Sequence, residues 1–357
     1  MRRALDPGRR HPGRRLRPAR RGHDRGPPPD LPPGAPPRAR DGGASGVIRA
    51  WLADGGGARE TTPEEALRGA SAGGVAWIDF DCEDEAVARK TLEPLRIHPL
   101  VLEDMVMEVN RPKVDNYGDY LYVVMHSARW DEDRPTLREV DMVLGERFLV
   151  TYHDGSTRSI AAAHGVIALT AGPSHLLHFL LDVLVDHYLP IVDRIAEEID
   201  ELEERIFQDH GGEVHEKIIR LKRGMSALRR IVGPQRDTLL ALTRDEFRTI
   251  PPEMRPYLRD VYDRLARVSD LLDSFRDESA TLLDLHVSAA SHRLNEVIKR
   301  LTVIATVGLP LTLITSYYGM NFNLAEYHWR TGWAYVLALL AGSAGVTWWY
   351  LKRKRWL

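Results

Sequence analysis

Two uncharged runs near the end of the chain, Leu301–Tyr318 (18 residues) and Trp333–Leu351 (19 residues), most constrain what it can fold into. At ~1.5 Å per residue either run makes a helix of roughly 27 Å, the thickness of a bilayer's hydrocarbon core. Lipid offers no partner to backbone N–H and C=O groups, so a crossing segment must close its hydrogen bonds within itself, as a helix does. Lys299-Arg300 precedes the first run and Lys352-Arg353-Lys354-Arg355 follows the second. Positive flanks stay inside, so both outer ends and both termini are expected in the cytoplasm of a multi-pass protein of the inner (plasma) membrane. The link between the runs, with Glu326, His328 and Arg330, then faces outward. Trp329, Trp333, Trp348, Trp349 and Trp356 suit the two interfacial belts. The bland alternative, a buried hairpin of a soluble protein, fits neither the full length of both runs nor their flanks.

The rest of the 357 residues divides by composition. Residues 1–46 hold 12 Arg against 4 Asp and 10 of the 22 Pro, with almost no apolar content. Such a stretch buries too little surface to offset its ordering entropy, so a disordered tail or translated sequence upstream of a natural start is expected. A basic contact with nucleic acid or anionic lipid is the sharper alternative, and no nucleic-acid partner is expected. Residues 47–172 read as a cytosolic α/β domain. Its strand-like runs are Val75–Phe80, Tyr120–Met125, Glu139–Leu144 and Arg147–Tyr152, the last two flanking Gly145 as in a hairpin. Helical patches lie near Pro63–Gly69 and Glu83–Leu95. Residues 173–256 form a helical hairpin region. Val192, Ile195, Ile199, Leu202 and Ile206 make a heptad seam on an otherwise acidic helix, Gly211-Gly212 breaks it, and a basic helix with Lys217, Arg220, Lys222, Arg223, Arg229 and Arg230 follows. Opposite charge predicts antiparallel pairing of the two. Residues 257–300 form a stalk helix with a seam at Val261, Leu265, Val268 and Leu272. A helix from Tyr257 to Leu309 would be roughly 80 Å long and needs partners along its length.

Residues 301–322 form the first membrane helix with the turn that ends it, 323–332 the outer loop, 333–351 the second membrane helix and 352–357 a basic cytosolic end. Two helices per chain cannot enclose a hydrophilic path, but a ring of chains can. The first helix is the better lining, since it carries Thr302, Thr306, Gly308, Thr312, Thr315 and Ser316, while the second faces lipid. Pro310 is a candidate kink. The chain has one cysteine, Cys82, so no intrachain disulfide and no Cys-based zinc site is expected. No Gly-rich phosphate loop, His-Glu-x-x-His or Gly-x-Ser-x-Gly is present, so an enzyme is not expected. The net charge of −2 names no partner.

Tyr318-Gly319-Met320-Asn321-Phe322, at the end of the first span, resembles the signature of the CorA-type magnesium channels. Ile97–Asp104, Arg111-Pro-Lys-Val114, Pro256–Asp263, Leu283-Asp-Leu-His286 and Asn295-Glu-Val297 look like the same family, so the resemblance covers about Val47 to Leu357. It implies an α+β membrane protein: a cytosolic α/β domain, a long helical stalk and two C-terminal spans, assembled as a funnel-shaped homopentamer in a lipid bilayer. It further implies Mg²⁺ as transported and regulatory ion, with Co²⁺ and Ni²⁺ as lesser substrates. Gly319, Met320 and Asn321 then form the selectivity filter. Mg²⁺ sheds its waters reluctantly, and a ring of Asn321 amides can hold the hydrated ion without stripping it. By resemblance Asp284, Asn295 and Thr312 line the path, Ile298, Leu301 and Leu309 form apolar constrictions, and Glu103, Asp104, Asp182 and Asp260 bind divalent cations between subunits. In the outer loop Leu324-Ala325-Glu326 replaces the family's usual Met-Pro-Glu, leaving Glu326 to attract cations. The alternatives are a zinc transporter of the same superfamily, whose members tend to carry Val where this chain has Met320, and a non-conducting membrane-anchored sensor.

Overall fold

Strands β1 (Val47–Asp54), β2 (Gly57–Thr61), β3 (Val75–Asp81), β4 (Lys113–Asn116), β5 (Tyr120–Asp131), β6 (Arg134–Gly145) and β7 (Phe148–His153) pair into one sheet. Their order is β2-β1-β3-β7-β6-β5-β4, and every pair is antiparallel except β3 with β7. The coordinates are a computed structural model that describes residues 46–54, 57–81, 84–107, 110–131, 134–153, 160, 172–206, 213–320, 325–354 and 356. All of them belong to one unit, Arg40–Leu357. The tail over 1–45, Cys82, Gly211-Gly212 and Asn321–Leu324 lie outside the described residues. The hairpin foreseen around Gly145 joins β6 and β7, with Leu144 opposite Leu149. A Cβ on Gly145 would stand 2.1 Å from the Phe148 ring, so a glycine is needed for that ring to fold back.

Successive residues of a strand point to opposite faces, and here both faces are covered. Tyr120, Tyr122, Val124, Val143, Val150, Ile78 and Phe80 pack with Ala66, Leu67, Leu92, Val101 and Met105 of α1 (Pro63–Ser71), α2 (Glu85–Leu92) and α3 (Pro99–Met107). Thr62 caps α1 by accepting the Glu65 N–H at 3.3 Å, with Pro63 in the first turn. Asp84 caps α2 at 2.9 Å from the Ala86 nitrogen. The opposite face, with Leu121, Val123, Met125, Val140, Met142 and Leu149, packs under the C-terminal helices.

Those helices are α4 (Pro173–Asp186), α5 (Leu189–Ile206), α6 (Glu213–Arg244), α7 (Arg255–Tyr318) and α8 (Gly332–Arg353). Both heptad seams are buried: Val192, Ile195, Ile199, Leu202 and Ile206 on α5, and Val261, Leu265, Val268 and Leu272 on α7. Helix α5 packs against α7 as well as α6. Gln235 of α6, fully buried, locks this layer to the sheet. It accepts the His126 N–H at 2.7 Å and donates to the Tyr188 hydroxyl at 2.7 Å, which donates to the His126 carbonyl at 2.8 Å. Burial, only partly offset by the Gln235 hydrogen bond, pushes the Tyr188 phenol above its ordinary range.

Three stretches are long and apolar enough to cross a membrane: Pro173–Ile206, Pro252–Tyr318 and Gly332–Arg353. Half of the most apolar window in the first is buried, against none in the second and 6% in the third. The first therefore turns its leucines, Leu176, Leu177, Leu180 and Leu181, into the protein's own core. Helix α7 is unbroken for 64 residues, so what the sequence divides at residue 300 is one helix through Tyr318. Pro310 does not interrupt it.

Candidate functional site

Helix α7 carries the residues expected to line a path on one face. At ~100° per residue, Asp284, Asn295, Ile298, Leu301, Leu309 and Thr312 fall within about a third of the helix circumference. All six are exposed in the single chain, Leu301 by 66% and Leu309 by 71%. An exposed apolar stripe of that length calls for a covering surface. The Thr312 hydroxyl donates to the Gly308 carbonyl at 2.9 Å, and the Thr302 hydroxyl to the Ile298 carbonyl at 2.7 Å. Their protons are thus committed within the helix and their oxygens remain acceptors, the polarity that the waters of a hydrated cation require.

Helix α7 ends where the Gly319 N–H donates to the Thr315 carbonyl at 2.9 Å. A Cβ at Gly319 would lie 3.1 Å from that oxygen, a tight approach that favours glycine. Met320 follows, 44% exposed. Asn321, expected from the sequence to form a selectivity filter, is outside the described residues. Glu326 opens the short helical turn Ala325–His328 that leads back to α8. Its carbonyl leaves no room for a side chain at Gly332, where a Cβ would stand 2.3 Å away. Helices α7 and α8 pack on each other, and the Arg353 guanidinium lies 5.4 Å from the Trp349 ring at the C-terminal end of α8.

The four predicted metal acids fall into two places. Glu103 is exposed on α3, and the adjacent Asp104 accepts from Lys113 Nζ at 2.7 Å. Burial lowers the Lys113 pKa, but the Asp104 hydrogen bond and the Asp115 and Asp104 charges outweigh it and hold the ammonium above its ordinary value. Asp182 sits on α4 and Asp260 on α7, bridged by Arg264. That guanidinium pairs with Asp182 and Asp186 and lies 3.2 Å from Asp260. Burial depresses the Arg264 pKa and, with the Arg264 charge second, also lowers that of His178. Among the described residues no three His, Cys, Asp or Glu side chains converge to hold a metal ion. Each acid group therefore has a cation of its own chain beside it, a feature the sequence reading missed. The available signal was the spacing of four between Asp182 and Asp186 and between Asp260 and Arg264, which places each pair on one helix face.

A soluble α+β part joined by one continuous helix to two exposed apolar segments defines a membrane protein. A family model described as CorA-like Mg²⁺ transporter protein matches residues 72–353. The cobalt/magnesium transport protein CorA of Thermotoga maritima is 35% identical over 281 residues, which cover 76% of this chain and 80% of that one. The zinc transport protein ZntB of Cronobacter sakazakii is 24% identical, covering 87% and 96%. The fold is similar to the complete CorA magnesium transporter of Methanocaldococcus jannaschii, with a TM-score of 0.75 at 21% identity over 87% of this chain and 99% of that one. The chain belongs to the CorA-like Mg²⁺ transporter family.

Proposed function

We propose that five copies of this chain surround a path lined by α7 and take up Mg²⁺, with Co²⁺ and Ni²⁺ as lesser substrates. The observation that carries this reading is one face of the widely exposed lower part of α7, polar at Asp284, Asn295 and Thr312 and apolar between. Symmetry turns such a stripe into stacked rings, and apolar rings at Ile298, Leu301 and Leu309 hold the path shut by dewetting. Helices α7 and α8 cross the bilayer, while the apolar residues of α4 serve the soluble core. Both termini face the cytoplasm, as the Lys and Arg flanks favour. The ring of Asn321 amides selects the hydrated ion, and Glu326 attracts cations from outside. Mg²⁺ is also the regulator. It neutralises Glu103, Asp104, Asp182 and Asp260 between neighbouring copies, and its loss lets the carboxylates repel and the stalks separate.

The zinc reading rests on the 24% identity to ZntB, while the 35% identity to a cobalt/magnesium transporter and Met320 in the filter favour Mg²⁺. Uptake into proteoliposomes, followed with an internal Mg²⁺-sensitive dye and compared with Co²⁺ and Zn²⁺, tests both. Mg²⁺ uptake should fall to the level of empty liposomes in Asn321→Ala. Uptake that survives the substitution removes the filter assignment, and uptake of Zn²⁺ alone selects the second reading.

A further inference from the structure

The basic helix α6 is only partly matched by the acidic helix α5. Ion pairs join them near the turn, Lys217 to Glu201 at 3.7 Å and Arg205 to Glu213 at 4.0 Å. Farther along, Arg229, Arg230 and Arg236 face a cleft of about 450 Å³ between α6 and α7, to which α7 adds Asp273 and Arg276. Four guanidinium groups meet one carboxylate there. That carboxylate is already held by Arg229, whose Nε lies 2.6 Å from Asp273 Oδ1. Among the described residues, Arg236 and Arg276 reach just the acid next to each in sequence, Asp237 at 3.4 Å and Asp277 at 3.3 Å. Both contacts are long and between helix neighbours one residue apart, which do not face each other, and both arginines line the cleft. Among the described residues Arg230 has no ion-pair partner.

We infer that this cleft binds a multiply charged phosphate anion, an inorganic or nucleoside triphosphate recognised through its phosphates. Clustered guanidinium groups repel one another, and an anion among them removes that repulsion. The planar fork of arginine matches phosphate oxygens two at a time. The cleft is open at Gly233, where a Cβ built on the backbone meets nothing within 4 Å. No aromatic ring lines the cleft, which leaves a nucleobase without a stacking partner. A lipid headgroup is too far away, because Arg276 precedes the first membrane residue, Leu301, by about 38 Å of helix at ~1.5 Å per residue.

The test is calorimetric titration of the full chain in zwitterionic nanodiscs, with EDTA and low salt, using inorganic tripolyphosphate. One site per chain is expected. ATP should bind within about threefold of tripolyphosphate and orthophosphate about tenfold more weakly. The double variant R230Q/R276Q should weaken tripolyphosphate by about tenfold or more while melting no lower than the unmodified protein, and R230K/R276K should retain part of the affinity. Gly233→Leu should block the site by filling it. No binding to the intact assembly overturns the inference, as it would if acids of a neighbouring copy occupied the cleft. An isotherm unmoved by R230Q/R276Q, sulfate binding as tight as tripolyphosphate, or loss of binding in a parallel set of nanodiscs that contain anionic lipid also overturns it.

Discussion

Arg264 sets one permanent positive charge among Asp182, Asp186 and Asp260. A divalent cation approaching Asp182 or Asp260 from a neighbouring copy competes with a guanidinium already in place. Removing that guanidinium should therefore sharpen the response to Mg²⁺. In Arg264→Gln the carboxylates repel with nothing between them, so the melting temperature in EDTA should fall. The Mg²⁺ concentration that restores it should drop on the order of threefold to tenfold, given partly screened charges. The readout is a thermal melt of the full chain against Mg²⁺, and an unchanged midpoint concentration would remove Arg264 from the sensing group. Lys113 stands in the same relation to Asp104, at 2.7 Å.

At the level of single elements, α7 carries Asp260 and the proposed constriction residues Ile298, Leu301 and Leu309 within one helix. Ile298 and Leu309 lie on the same face, 51% and 71% exposed. If they close the path by excluding water, replacing either with asparagine should hydrate the constriction. I298N or L309N proteoliposomes should then take up Mg²⁺ even at an internal concentration that silences the unmodified protein. A variant that stays silent there would assign the closure elsewhere. The elements differ in how openly their sequences announce them. The seams on α5 and α7 were legible because a face buried along its whole length imposes a three-and-four spacing. Strands β2 and β4 were not, because they lie at the two edges of the sheet and Gly57–Thr61 and Lys113–Asn116 bury little. The apolar residues of α4 match those of a membrane span in hydropathy, and only packing under the sheet separates the two. The clasp of Arg264 on Asp182 spans 82 positions of chain, which no local pattern encodes. The turn at Tyr318-Gly319-Met320, by contrast, was readable because it falls where an uncharged run stops.

For the molecule as a whole, the exposed stripe on α7 requires partners, and five copies are the proposed number. Native mass spectrometry of protein released from nanodiscs should give five times the 40.4 kDa chain mass, and a monomer or dimer under those conditions would remove the ring on which the path depends. The unbroken helix has a mechanical consequence. Between Arg264 and Tyr318 it forms a rod of about 80 Å at ~1.5 Å per residue, without a hinge at Pro310. A rod of that length is a lever arm. A tilt of roughly five degrees at the acid end would displace the far end by about 7 Å, so on the proposed regulation a small torque from electrostatic repulsion would become a wide stroke at the other end of the rod.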